Sequence, residues 1–186
     1  MKKLKPCCTI PVTLALLLTI LAACQSPNNH EDVSAFPASW TGIWKGTCHA
    51  IPPGVRMNSF AMELHILPAE DIQRMTWKLV YGAGDKRQER DYEIYAQDPA
   101  AGHYVVDEKN SILIDSYLVE DTLCCQYSVA GSFITVLYRK EGQRIHFELI
   151  SAGLDDASTT GGVEDIPDVT VYPVQVVQYA ELLGPE

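Results

Sequence analysis

Histidine and carboxylate side chains stand two positions apart at two places in the chain. Glu63 and His65 share one face of a predicted strand, and Arg144, His146 and Glu148 share one face of another. If both faces lined a barrel lumen, imidazoles and carboxylates would meet there as a metal site or a polar ligand pocket. If both faces point to water, the alternate apolar residues form the core instead. Ordinary alternation in a half-buried sheet favours the second arrangement, so we predict no metal site.

Cysteines form the second group with chemical potential. Cys124 and Cys125 are adjacent, so on a strand they point to opposite faces and only one can share a face with Cys48. Cys48 lies on the face of Trp44, which we expect to point inward. In an oxidising compartment the consistent pair is a Cys48–Cys125 disulfide, which leaves Cys124 unpaired. Metal ligation together with His49 is the disfavoured alternative, because His49 and Cys48 point to opposite faces.

Catalytic signatures are missing from the sequence. It contains no G-x-S-x-G, no H-E-x-x-H, no phosphate loop and no paired C-x-x-C motif. We therefore predict that the protein is not an enzyme, and no cofactor is indicated.

Two polar segments have alternative interpretations. Residues 84–91 concentrate Lys86, Arg87 and Arg90 in an acidic chain. They indicate a hairpin capped by local salt bridges, and the alternative is a small positive docking point for an anionic ligand. Residues 152–168 form the longest irregular segment, which is either a mobile lid over a barrel mouth or an insertion before the last strand.

The elements that must position these residues are short strands with a period of two. Apolar and polar residues alternate from Trp40 onward, and glycine, proline or asparagine turn signals separate the strands. Such a pattern predicts an all-β domain over residues 40–186, a single up-and-down antiparallel barrel of about 8–10 strands. Aromatic side chains on these strands would line a cavity for a small ligand, and the predicted set is Trp77, Tyr81, Tyr92 and Phe133.

A tripeptide at the start of the first strand, Gly42-Ile43-Trp44, resembles the G-x-W signature of lipocalin and calycin barrels. The resemblance implies that Trp44 closes the base of the barrel and that a basic residue near the last strand packs across its ring. No arginine or lysine follows Arg144 in this chain, so Arg139 or Arg144 would have to supply that contact from an earlier strand.

The N-terminus has the features of a secretory signal. Three lysines at positions 2, 3 and 5 precede a mostly apolar run over residues 10–23, which is too short for a convincing spanning helix. The run ends in Leu21-Ala22-Ala23-Cys24, which resembles the lipobox of bacterial lipoprotein precursors. That resemblance implies acylation of Cys24 and cleavage just before it. The predicted organisation is a signal peptide over residues 1–23, a lipidated N-terminus and flexible tether over residues 24–39, and the barrel domain.

Charge and anchor together define the expected function. The chain carries a formal net charge of −10, and removal of residues 1–23 would take away three lysines and no acidic residue. Nucleic acid is therefore not expected as a partner. We expect a protein of the bacterial cell envelope that is held to the membrane by lipid, at the outer membrane in a Gram-negative cell. The barrel would bind a small hydrophobic or amphipathic ligand. The alternative is a structural or protein-interaction lipoprotein of the envelope without a small-molecule ligand.

Overall fold

Residues 35–185 are described by the computed structural model. Cys24, the predicted signal peptide and most of the predicted tether lie outside these residues. The described part contains twelve strands, at Gly42–Ile51 (β1), Asn58–Ile66 (β2), Arg74–Tyr81 (β3), Gln88–Asp98 (β4), His103–Asp107 (β5), Leu113–Val119 (β6), Thr122–Val129 (β7), Ser132–Glu141 (β8), Arg144–Gly153 (β9), Ser158–Thr160 (β10), Val169–Val171 (β11) and Val174–Leu183 (β12). Short 3-10 turns cover Ala38–Trp40, Gly84–Lys86 and Pro99–Ala101. Within residues 35–185, no helix has the length and apolar character needed to cross a membrane.

Ten of these strands close into one antiparallel barrel, in the order β1-β12-β9-β8-β7-β6-β5-β4-β3-β2. Sequential neighbours pair throughout, apart from the excursion that separates β9 from β12. The prediction of an all-β, up-and-down barrel of about 8–10 strands is confirmed. Closure pairs the first strand with the last, with Cys48 opposite Ala180, and so removes the open edges of the sheet.

Alternation places one face of each strand in the core. On β2, Met62, Leu64 and Ile66 are fully buried, whereas Glu63 and His65 between them are partly exposed. At the β7–β8 hairpin, Ala130 and Gly131 both have positive φ, at 47° and 76°. A two-residue turn of this kind matches the right-handed twist of the flanking strands.

A close approach between β1 and β12 requires a glycine in the closing pair of strands. A β-carbon added to Gly46 would stand 2.1 Å from the carbonyl oxygen of Glu181. The backbone of Gly46 has no positive φ, so the constraint there is space and not backbone conformation. A larger residue at position 46 would push the two strands apart where the barrel closes.

The two ends of the barrel differ. The end that carries residues 35–41 is called the base, and the opposite end, with the β1–β2, β3–β4, β5–β6 and β7–β8 turns, is called the mouth. At the base, Trp44 is buried and its indole Nε1 donates a hydrogen bond to the Trp40 carbonyl oxygen over 2.9 Å. The Lys140 ammonium lies 5.8 Å from the centroid of the Trp44 ring.

The base contact corrects the predicted partner of Trp44. Neither Arg139 nor Arg144 packs on the ring, because both side chains point outward and pair with Glu141 and Glu181 respectively. Lys140 follows Arg139 on β8 and therefore points to the opposite side of the sheet. It pairs with the buried Ile145 on β9, so the aliphatic part of its side chain points inward.

The packed domain extends four residues before the predicted boundary at Trp40. Phe36 is only 8% exposed and belongs to the core. Its ring makes edge-to-face contacts with Trp40 and Tyr104, with centroids 4.8 Å and 4.7 Å apart.

Residues 154–173 leave the barrel at the mouth. The sequence analysis predicted either a mobile lid or an insertion here. The structure contains a two-stranded antiparallel sheet of β10 and β11. The Gly153 N–H donates to the Pro173 carbonyl oxygen at the point of departure. We call this excursion the arm. Several of its apolar side chains are exposed, namely Val163, Ile166, Val169, Val171 and Tyr172.

Candidate functional site

A cavity of about 130 Å³ lies inside the barrel, and we call it the inner chamber. Its walls come from inward-facing positions of seven strands, β3 to β9, and from Glu108 just after β5. They combine aliphatic and aromatic side chains with one thiol and two charged groups: Trp77, Leu79, Tyr81, Arg90, Tyr92, Val106, Glu108, Ile114, Cys125, Tyr127, Val136, Tyr138, Phe147 and Leu149. Trp77 is 1% exposed, and its ring meets that of Tyr138 edge to face with centroids 5.1 Å apart. An edge-to-face pair of this kind stabilises the aromatic wall of the chamber.

The tyrosines of the chamber are held in the neutral phenol form. Burial raises the pKa of Tyr81, Tyr127 and Tyr138 above the ordinary value. Burial also raises the pKa of Tyr92 to about 12, with the charge of the nearby Glu108 carboxylate adding to the effect. At neutral pH these phenols are therefore available as hydrogen-bond donors and acceptors among the mostly apolar side chains of the walls.

Cys125 faces the chamber as a free thiol. Its sulfur lies 3.0 Å from the Ser116 hydroxyl, which is fully buried. Burial raises the pKa of Cys125 to about 11, so its thiol is neutral and weakly nucleophilic near pH 7.

The predicted Cys48–Cys125 disulfide is wrong. Both thiols are buried and point inward as expected, but Cys48, Cys124 and Cys125 are all free. The reason is strand order, because β8, β9 and β12 lie between β7 and β1. Four strand steps of about 4.8 Å separate the two cysteines by roughly 19 Å along the wall. A disulfide needs Cα atoms within about 7 Å of each other.

Toward the mouth, the inner chamber continues into a second space of about 610 Å³ that is open to solvent, and we call it the outer chamber. The two spaces share Tyr81, Arg90 and Leu149 as wall residues. The other polar side chains of the outer chamber are amides, hydroxyls and one ammonium group, from Asn58, Ser59, Lys86, Gln88 and Gln178. No carboxylate lines it among the described residues.

Basic side chains without an ion pair collect at the mouth. Within residues 35–185, seven of the eleven lysines and arginines lie within 4.0 Å of a carboxylate. Of the remaining four, Lys140 lies over the Trp44 ring at the base. The other three are Arg56 in the β1–β2 turn, Lys86 in the β3–β4 turn and Arg90 near the start of β4.

The two histidine and carboxylate groups predicted from their spacing point outward and do not meet. The His65 Nε2 and Glu63 Oε2 atoms form a hydrogen bond of 2.7 Å on β2. His146 lies on β9, three strand steps away, and the nearest carboxylate to its Nε2 is that of Glu141 at 3.5 Å. In residues 35–185, no three histidine, cysteine or acidic side chains gather as metal ligands.

Three of the four predicted cavity residues line the inner chamber, and one does not. Trp77, Tyr81 and Tyr92 are wall residues. Phe133 was wrongly placed, because it has the outward parity on β8 and its side chain is 37% exposed.

Sequence reasoning missed the wall residues Tyr127, Tyr138 and Glu108. The inward direction of the first two could have been predicted from alternation along the strand. Tyr127 lies on the same face of β7 as Leu123, and Tyr138 lies on the same face of β8 as Val136. Glu108 lies just after β5, where alternation along a strand no longer predicts which way a side chain points.

Comparisons with known proteins show similarity at the level of the fold. No protein-family model matches the chain, and no curated protein sequence matches it. The structure of the S-type phycobiliprotein lyase CPES from Guillardia theta is similar, with a TM-score of 0.52, 8% identity, and coverage of 78% of this chain and 88% of that chain. The crystal structure of Rv2717c from M. tuberculosis has a TM-score of 0.46 and 12% identity, with coverage of 78% of this chain and 92% of that chain. At 8% identity the likeness to the lyase shows the fold alone, a calycin-like barrel.

One expectation is overturned by this comparison. The lack of catalytic signature motifs led to the prediction that the protein is not an enzyme. That prediction is wrong, because a similar barrel belongs to a protein described as a lyase. The lack of signature motifs therefore does not exclude catalysis in this fold. A barrel of this architecture supports catalysis as well as binding, and function has to be argued from the residues of the site.

Proposed function

We propose that the barrel binds a small apolar or amphipathic ligand. The observation that carries this proposal is the aromatic inner chamber, which opens through the outer chamber to the mouth. At the base, the barrel is filled by the packed side chains of Trp44, Trp40 and Phe36. The ligand therefore enters from the mouth.

The size of the two chambers indicates the size of the ligand. The inner chamber, at about 130 Å³, is close in volume to an apolar cavity of about 150 Å³ that binds benzene. It accepts a short acyl chain or a single ring, whereas sites for drug-sized ligands have about 300–1,000 Å³. The remainder of a larger ligand would occupy the outer chamber of about 610 Å³.

Filling the inner chamber tests the proposal. Val136 lines the chamber, and Thr135 beside it points outward on the same strand. We expect Val136→Phe to abolish binding of octan-1-ol, measured by calorimetry and by tryptophan fluorescence, while circular dichroism still reports the barrel. Thr135→Phe is the matched control and should bind like the parent. Failure of the parent to bind, or full binding by Val136→Phe, would contradict the proposal.

Membrane anchoring through Cys24 belongs to the same proposal. Its support is the sequence, namely the basic start, the apolar run and the Leu21-Ala22-Ala23-Cys24 box. Two or three acyl chains hold a protein at a membrane, whereas one alone does not. Mass spectrometry of the mature N-terminal peptide should find an acylated cysteine, and Cys24→Ala should move the protein from the membrane to the soluble fraction. Cys124→Ala is the control, and membrane retention of Cys24→Ala would count against a lipid anchor.

A second candidate function is interaction with another envelope protein. The exposed apolar side chains of the arm favour it, since contiguous exposed apolar surface often marks a protein contact. A photo-crosslinking residue at Val171 should form a defined adduct in intact cells, whereas one at Glu120, in the β6–β7 turn, should not. Equal or absent crosslinking at both positions would remove this candidate.

A further inference from the structure

We infer that the ligand is an amphipathic anion, whose carboxylate or phosphate head group binds at Arg90 and Lys86 in the outer chamber while its apolar tail enters the inner chamber. This inference rests on the proposed binding function and adds the charge and the orientation of the ligand.

Arg90 is positioned to bind a head group at the boundary between the two chambers. It lines both of them, and its guanidinium has no carboxylate within ion-pairing distance in the described residues. Arg87 and Glu89, close by in sequence, pair with each other at 2.8 Å, and Glu89 also accepts from Lys78 at 2.6 Å. Asp91 pairs with Lys78 at 2.9 Å, so both acidic neighbours of Arg90 in sequence are already engaged by other cations.

Lys86 adds a second cation to the same chamber. The Gly84–Lys86 turn brings Lys86 to the wall of the outer chamber beside Gln88 and Arg90. A guanidinium can hold a carboxylate or phosphate with two parallel hydrogen bonds, while an ammonium acts as a point charge. The amides of Asn58 and Gln178 supply further hydrogen-bond donors to a bound oxyanion.

Glu108 determines the orientation. β4 runs from the mouth toward the base, so Tyr92 lies one inward-facing position deeper than Arg90. Glu108 follows Asp107, which pairs with Glu93, so it lies level with Tyr92. Its carboxylate lines the inner chamber and not the outer one. Its negative charge would repel an anionic head group at that depth, whereas an apolar tail carries no charge to repel. The head group therefore stays at Arg90, on the mouth side.

Matched ligands separate this inference from the proposed function. Octanoate, octyl phosphate and octan-1-ol share one tail and differ in the charge of the head group. We expect at least one anion to bind the full chain about tenfold tighter than the alcohol at low salt, the factor expected for a hydrogen bond between charged groups. The preference should shrink at 1 M salt, where the screening length falls to about 3 Å. The anion that binds more tightly identifies the head group.

Variants test the assigned residues. Arg90→Gln should bring the ratio of anion to alcohol affinity close to one, and Arg90→Lys should keep part of it. Arg144→Gln removes an exposed arginine from the base end and should leave the ratio at the parent value.

The outcomes distinguish the two claims. If the alcohol binds and neither anion binds more tightly, or if Arg90→Gln keeps the full preference, this inference is overturned and the binding function stands. If none of the three ligands binds, the proposed function itself fails.

Discussion

The ammonium group of Lys140 lies 5.8 Å from the centroid of the Trp44 ring and covers the base of the barrel. Trp44 is 1% exposed, whereas Lys140 is partly exposed. A cation over an indole that water still reaches contributes about 1 kcal/mol. The relationship joins β1 to β8, two strands that do not pair in the sheet.

Replacement of that cation should destabilise the barrel modestly. We expect Lys140→Met to lower the free energy of unfolding by about 1 kcal/mol, because the apolar stem is kept and the charge over the ring is lost. Urea denaturation followed by tryptophan fluorescence measures it. Arg139→Met, on the outward face of the same strand, should change stability by less than about 0.5 kcal/mol. Equal effects of the two substitutions would show that the charge over Trp44 contributes nothing.

Phe36 should contribute more stability than a tether residue would. Removal of its ring leaves a hole between Trp40 and Tyr104, and Phe→Ala substitutions in cores cost about 3–5 kcal/mol. Phe36→Ala is expected to lower the melting temperature markedly, as followed by circular dichroism. Ala35→Ser alters an exposed neighbour and serves as the control. An unchanged melting temperature for Phe36→Ala would restore the domain boundary at Trp40.

Stability should fall at alkaline pH because buried acids of the core must stay neutral. The pKa of Cys125 is raised from 9.0 to about 11, so the folded state holds this proton more tightly than the unfolded state. Its contribution is complete below pH 9 and disappears as the pH rises toward 11. At pH 10 the lost free energy is about 1.4 kcal/mol for this thiol.

Comparison of denaturation at pH 7 and pH 10 checks the sign and size of this effect. Cys125→Ala should lose less stability between the two pH values than the parent does. Gln126→Ala changes the exposed neighbour and should behave like the parent. The same alkaline loss in Cys125→Ala would assign the effect to other groups, such as Tyr81 and Tyr138, whose pKa values are also raised.

Thiol reactivity should follow exposure. Cys124 is partly exposed, whereas Cys48 and Cys125 are buried. We expect iodoacetamide to modify Cys124 first under native conditions and all three thiols in denaturant, as mapped by peptide mass spectrometry. A disulfide-linked peptide that joins Cys48 to Cys125 without reduction would contradict the arrangement of strands between them.

The direction of most side chains could be predicted from the amino-acid sequence. Alternation with a period of two assigned Cys48, Trp77 and Tyr81 to the interior and His65 to the outside, because successive residues of a strand face opposite sides. Phe133 was wrongly predicted to line the cavity. It alternates with the inward-facing Ile134 and therefore points outward, although its side chain is aromatic.

Which inward residues become neighbours depends on how the barrel closes. Barrel closure separates Cys48 from Cys125 by four strand steps and places Lys140 over Trp44. It also leaves Arg90 without a carboxylate partner on the wall that both chambers share. The physical reason is that alternation is a local property of one strand. Contacts across the lumen depend instead on the number, order and register of all ten strands, which the hydrogen-bonded ladders set only when the sheet closes.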